Sequence, residues 1–151
     1  MIIYIGADHR GFNLKEQLKA FLQESGYTVS DLGAEAILKE DDYIDYAKAV
    51  AEKVSMDPTN SKGVLVCGSG VGMDIAANKF ANVRSVLAMS PDHVMASRND
   101  DDTNIVSLGA NFIDTETAKR IVSVWLQTPF SGEEEDRRRI EQLKNLDHTS
   151  N

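Results

Sequence analysis

One stretch constrains this chain more than any other: Gly63 to Phe80, which reads Gly-Val-Leu-Val-Cys-Gly-Ser-Gly-Val-Gly-Met-Asp-Ile-Ala-Ala-Asn-Lys-Phe. Val64, Leu65 and Val66 form a short apolar run, and Cys67 closes it. Gly68, Gly70 and Gly72 then alternate, and a helix is expected from about Asp74 to Phe80. The order is strand, loop, helix. Glycines let a backbone come close to a ligand and aim its amides at it, and a helix N-terminus adds partial positive charge. Such a loop either holds an anion or oxyanion or simply makes a tight turn between strand and helix. Its spacing is not that of the dinucleotide fingerprint, and it lacks the Gly-Lys-Ser/Thr ending of a nucleotide P-loop.

The same rhythm runs along the whole chain. Ile2 to Ile5 is a β-branched and aromatic run leading into Gly6-Ala7-Asp8-His9-Arg10-Gly11-Phe12. Leu14, Leu18, Phe21 and Leu22 then follow at helical spacing, with Gly26 as a stop. Asp8 reads either as an N-cap or as a carboxylate facing a polar ligand, and His9 either as a loop residue or as a ligand contact. Tyr27 to Asp31 reads as a second strand. Tyr43, Tyr46, Ala47, Val50, Ala51 and Val54 trace an amphipathic helix, and the Cys67 strand comes next. Val83 to Ala88 gives a fourth strand, Pro91 to Arg98 a short helix, and Ile105 to Leu108 a fifth strand. Thr115 to Leu126 and about Glu133 to Leu146 give two last helices, and His148 to Asn151 reads as a loose tail. Alternating strands and helices specify an α/β fold: a three-layer, Rossmann-like parallel sheet of about five strands with helices on both faces and a C-terminal helix.

Composition narrows the function classes. The 151 residues fit a single domain, and 42% hydrophobic with 26% charged residues is ordinary for a globular protein. A net charge of −8 argues against nucleic acid as a partner, because phosphate backbones are bound through clustered Lys and Arg. No apolar segment approaches the ~20 residues that span a bilayer, and the first residues do not read as a leader, so a cytoplasmic location is expected. Cys67 is the only cysteine, which leaves no internal disulfide and no thiolate cluster. A lone cysteine is usually a small buried apolar residue. This one stands at the C-terminal end of a strand, where ligands of open α/β sheets bind. Trp125 and Phe130 read as core residues, with an interface as the alternative.

Taken together, Gly6 to Phe12 with Leu14-Lys15, Asp42-Tyr43, Cys67 to Gly72, Ala76 to Phe80, Ser97-Arg98 and Asn104 with Leu108-Gly109 resemble the type B ribose-5-phosphate isomerases and galactose-6-phosphate isomerase subunits. The resemblance runs from Ile3 to about Leu143. It implies a dimer or dimer of dimers with active sites between subunits, a sugar phosphate substrate, and no metal or organic cofactor. The reaction implied is aldose–ketose isomerisation through a cis-enediolate, most directly ribose 5-phosphate to ribulose 5-phosphate. Cys67 matches the family's general base, and loop amides and the helix N-terminus are expected to favour its thiolate. Ser69 would relay a proton or hydrogen bond to sugar oxygens, and the amides of Gly68, Gly70, Val71 and Gly72 would stabilise the enediolate. Asp8 would contact the sugar hydroxyls, His9 the phosphate or ring oxygen, and Tyr43 would form a pocket wall. Asn104 closes its motif without direct chemistry. Asp74 is assigned mainly to the helix N-terminus, where acidic residues are favoured.

Two departures bear on mechanism. Asp100 and Asp101 stand where relatives commonly carry His-Asn, so Asp100 replaces the ring-opening histidine; a carboxyl is a poor acid near neutral pH unless burial raises its pKa. Arg138 aligns with the second of two phosphate-gripping arginines, in a register that Arg137 or Arg139 can share, while Glu134 stands at the first. These changes leave two alternatives beside the ribose 5-phosphate reaction: another phosphosugar such as a hexose 6-phosphate, and a non-catalytic partner subunit.

Overall fold

In the computed structural model residues 1–147 are described, so the expected tail at His148 to Asn151 lies outside the described residues. Strands β1 (Ile2–Ala7), β2 (Thr28–Asp31), β3 (Ser61–Cys67), β4 (Ser85–Leu87) and β5 (Ile105–Gly109) alternate with helices. These are α1 (Phe12–Glu24), α2 (Tyr43–Met56), α3 (Val71–Ala77), α4 (Pro91–Asp101), α5 (Thr115–Gln127) and α6 (Glu134–Asp147). Every strand pair is parallel, in the order β2-β1-β3-β5-β4. The chain moves outward from β1 to β2, then returns to place β3 on the other side of β1. The strand order therefore reverses between β1 and β3, and a crevice opens there at the C-terminal strand ends.

The two-residue period of a strand sends alternate side chains to opposite faces. Ile3, Ile5 and Ala7 of β1 and Val64 and Val66 of β3 pack against α1, α4 and α5, with Leu14, Leu18, Val94, Ile121 and Trp125 among the fully or nearly buried partners. Leu65 and Cys67 point the other way, onto Ala47, Val50, Val54, Met73 and Ala77 of α2 and α3. Each fully buried Leu or Ile in these layers stabilises the fold by about 1.5–3 kcal/mol. Trp125 belongs wholly to the core, its indole N–H donating to Thr103 Oγ1 at 3.0 Å, and Phe130 is half-buried. No helix among the described residues is long and apolar enough to cross a membrane.

Element ends differ from expectation where long-range contacts decide them. Helix α3 starts at Val71, ahead of the expected Asp74, because Gly70 adopts φ +80° and its carbonyl accepts Asp74 N–H at 3.0 Å, closing the first turn early. Strand β4 is shorter than Val83 to Ala88, since this edge strand ladders with β5 only from Ser85 to Leu87. Helix α4 runs past Arg98 to Asp101. Its stop is Asp102 in the left-handed region, tied to buried Arg98 by a 2.7 Å ion pair. Asp100 and Asp101 thus lie in the last turn of a helix.

Candidate active site

The crevice between β1 and β3 brings two sequence-distant motifs together. Asp8 follows the last residue of β1 and Cys67 is the last residue of β3. Asp8, His9, Tyr43, Cys67, Gly68, Ser69 and Gly72 line one cleft of about 380 Å³, joined by Arg10, Asp41 and Asp42. The glycine loop is pinned from behind: Ala110 N–H donates to Cys67 O at 2.8 Å and Asn111 N–H to Gly68 O at 3.0 Å. Gly70 N–H donates to Cys67 Sγ at 3.1 Å, and Val71 N–H to Ser69 Oγ at 3.3 Å. At Gly72 a Cβ would lie 2.6 Å from Tyr43 Cζ, so glycine is what allows the phenol ring to pack on the loop. Gly70 is buried, and Val71 is exposed at the start of α3.

Asp8 is not the N-cap of α1, which is Gly11. Its buried carboxylate turns back on its own loop, with Oδ1 accepting from Arg10 N–H at 3.0 Å and Gly11 N–H at 3.1 Å. That bonding fixes the direction in which the β1 end points. His9 Nδ1 meets Asp41 Oδ1 at 2.5 Å, and the His9 backbone N–H donates to the same oxygen at 3.2 Å. With Nδ1 turned to this carboxylate, Nε2 is the ring nitrogen that makes no hydrogen bond among the described residues. Asp41 Oδ2 is buried and accepts no hydrogen bond among the described residues. Asp8, His9 and Asp41 each offer a ligand atom within 4.8 Å of the others and so could hold a cation, although Asp8 Oδ1 and His9 Nδ1 are already engaged.

The electrostatics correct one expectation. Burial pushes the Cys67 thiol above its ordinary pKa; the Gly70, Met73 and Ser69 amides oppose this, while the Asp8 carboxylate adds to it. The loop amides are present as expected, but desolvation outweighs them, and the resting thiol is held protonated. Asp74 lies in the first turn of α3 without capping it. Its Oδ1 accepts from Ser85 Oγ at 2.6 Å, Ser85 Oγ lies 3.1 Å from Ser107 Oγ, and burial raises the Asp74 pKa. Asp74 braces α3 against β4 and β5 and does not line the cleft.

Three expected site residues stand elsewhere in the single chain. Asp100, exposed and bonded to Asn99 Nδ2 at 2.7 Å, lines with Asp101 a second cavity of about 520 Å³ that also holds Arg84, His93 and Lys144. Burial, then the Asp100 and Asp136 carboxylates, raise the Asp101 pKa. Arg138 lies in a groove with Glu133, Glu134, Glu135 and Asp136, 4.0 Å from Glu135. Arg137 Nε donates to Gly132 O at 2.6 Å, and Arg139 pairs with Glu135 at 2.5 Å and Asp136 at 3.3 Å. None of the three arginines lines the Cys67 cleft. Asn104 is buried between Arg84 N–H and Asn82 O, a structural role. Sequence reasoning missed Arg10, Asp41 and Asp42 in the cleft. Arg10 stood inside the Asp8-His9 motif, whereas nothing local marks Asp41, which is 32 residues from its His9 partner.

Known proteins share the sequence pattern and the fold of this chain. The family model described as Ribose/Galactose Isomerase matches residues 3–143. The chain is similar to ribose-5-phosphate isomerase B of Escherichia coli, 41% identical over 130 residues, which is 86% of each chain. It also resembles the crystal structure of ribose-5-phosphate isomerase B from Mycoplasma genitalium with bound ribulose-5-phosphate, at TM-score 0.95 and 32% identity over 99% of this chain and 97% of that one. The Clostridium thermocellum ribose-5-phosphate isomerase B structure matches at TM-score 0.94 and 33% identity over 100% of both chains.

Proposed function

As a member of the ribose/galactose isomerase family the chain is a sugar phosphate isomerase, and we propose that it converts ribose 5-phosphate to ribulose 5-phosphate with Cys67 as general base. The observation that carries the residue assignment is the Cys67 thiol at the floor of the β1/β3 crevice. It faces Asp8 and His9 across one cleft, with Ser69 and a ring of loop amides beside it. In the open-chain sugar, the Cys67 thiolate takes the C2 proton, the C–H electron pair forms the C1–C2 double bond, and the C1 carbonyl π pair moves onto O1. The amides of Gly68 to Gly72 hold the enediolate oxygen, and Ser69 passes a proton between the sugar oxygens. The same thiol returns its proton at C1. Asp8 and Tyr43 position the sugar hydroxyls and ring, and His9 Nε2 reaches the ring oxygen or phosphate. These steps draw only on side chains and backbone amides.

Cys67→Ala tests this directly. We expect kcat to fall about 10²- to 10⁴-fold, the usual contribution of a positioned general base, with circular dichroism and melting unchanged. Wild-type turnover in that variant would remove Cys67 from the mechanism. The carboxylates around Arg138 support a second reading, in which the substrate is a different phosphosugar such as a hexose 6-phosphate. Turnover of hexose but not pentose phosphates in a substrate profile would decide for it.

Assembly and location belong to the same proposal. Asp100, Asp101 and Arg138 lie outside the Cys67 cleft of their own chain. Any role for them in the reaction therefore requires a second copy, as in a homodimer or dimer of dimers with shared active sites. An apolar groove beside the cleft, lined by Tyr43, Ile44, Ile75 and Phe80, supports such a contact. A catalytic free thiol suits a reducing compartment, which supports a cytoplasmic location.

A further inference from the structure

The cleft contains a cation that the isomerisation steps above leave unused. Arg10 is exposed at the end of β1 and lines the cleft with Cys67 and Ser69. Its side chain lies across the glycine loop: a Cβ on Gly68 would be 2.9 Å from Arg10 Cδ, 3.4 Å from Arg10 Nη1 and 3.1 Å from Asn111 Nδ2. The bare backbone of Gly68 is what lets the arginine lie there, and Asn111 Nδ2 approaches the same glycine. Only the Arg10 backbone N–H is engaged, by Asp8; its guanidinium has no hydrogen bond or ion pair among the described residues. The acidic residues of the cleft each have a partner of their own, although Asp41 Oδ2 has none among the described residues. Asp8 accepts two backbone amides, Asp41 meets His9, and Asp42 caps α2 by accepting from Ile44 N–H at 3.1 Å. The arginines of α6, by contrast, face carboxylates and a carbonyl.

We propose that Arg10 grips the phosphate of the substrate, with Asn111 Nδ2 as a neutral second donor, on the same chain as Cys67. A guanidinium presents a planar fork that matches two phosphate oxygens, and its charge survives at every working pH. In a chain of net charge −8, an unpaired arginine at the cleft supplies the local positive field that an anionic substrate needs. The assignment rests on the sugar phosphate reading, and it accounts for how that reading survives Glu134.

The test separates the two claims by reading phosphate binding apart from turnover. Inorganic phosphate is titrated into the ¹⁵N-labelled protein, and the amides of Gly68, Ser69 and Gly70 are followed by NMR. We expect saturable shifts at these amides. Arg10→Ala should weaken phosphate at least about 10-fold, as loss of a charge-assisted bond predicts; Arg10→Lys should keep part of the affinity and Lys53→Ala all of it. In turnover, Arg10→Ala should raise KM for ribose 5-phosphate about 10- to 100-fold, with kcat changed less than about three-fold. Unchanged phosphate affinity in Arg10→Ala, or shifts confined to α6, overturns the proposal. Phosphate bound at Arg10 in a wild-type protein that isomerises no sugar phosphate upholds the anion site and overturns the isomerase reading instead.

Discussion

Cys67 is a buried thiol, and in the mechanism proposed above, where it is the base, its surroundings set the pH at which it can act. The same β3–α3 junction that delivers Gly70 N–H to Sγ also removes the sulfur from water, and burial raises its pKa. Only the thiolate abstracts a proton, and each pH unit below the pKa lowers its fraction about tenfold. We therefore expect kcat/KM to rise with pH and to keep rising beyond the ordinary thiol value of 9.0. The rate of inactivation by iodoacetamide should follow the same curve. A plateau reached below neutral pH would show that another group is the base. That Cys67 and Asp8-His9 stand at strand ends was legible here, because each ends an apolar strand-like run, and the structure brings them into one cleft. The protonation state was not, since it depends on how deeply the packed helices bury the sulfur.

Lys62 shows how a strand is affected by what its neighbours bring to it. It lies on β3, its ammonium 5.4 Å from the Trp125 ring centroid, and its pKa is lowered to about 8, first by burial and then by Arg98 and Arg84, against Asp102. Unfolding returns this group to its ordinary value of 10.5, so between about 8 and 10.5 the unfolded chain binds more protons and stability rises with pH. Below that window a charged Lys62 costs the fold about 1 to 3 kcal/mol, part of which the Trp125 face offsets. Lys62→Met should accordingly raise the urea unfolding free energy by about that amount at pH 7, and the gain should shrink as the pH approaches 10. An unchanged or lowered stability at pH 7 would contradict this. The helix ends carry a similar lesson. The start of α3 at Val71 and the end of α4 at Asp101 follow from Gly70 and Asp102 in left-handed conformations, which a periodicity of apolar residues does not reveal.

At the scale of the whole molecule, the single chain gathers most of the expected site residues at the Cys67 cleft and places Asp100, Asp101 and Arg138 elsewhere. Beside the cleft, Ile44, Val71 and Ile75 are exposed at 48%, 43% and 56%, an apolar rim of the kind that marks an interface. If copies join there, Ile75→Glu should turn a dimer into a monomer by light scattering and lower turnover at least about 100-fold, with the melting temperature of the monomer preserved. A fully active monomeric variant would show that one chain suffices. The sequence by itself determined the alternation of strands and helices, the parallel sheet and the Cys67 loop. Each is written in local patterns of two- and 3.6-residue period and in glycine placement. Tertiary structure alone decided that β5 lies between β3 and β4, that Asp41 reaches His9, and that Arg10 lies over Gly68 while Asp100 and Arg138 stand apart. Those outcomes depend on which distant segments compete for the same core and the same charges. The glycine loop that looked from sequence like a general anion cradle is thus half of a cleft, completed by a strand that begins the chain.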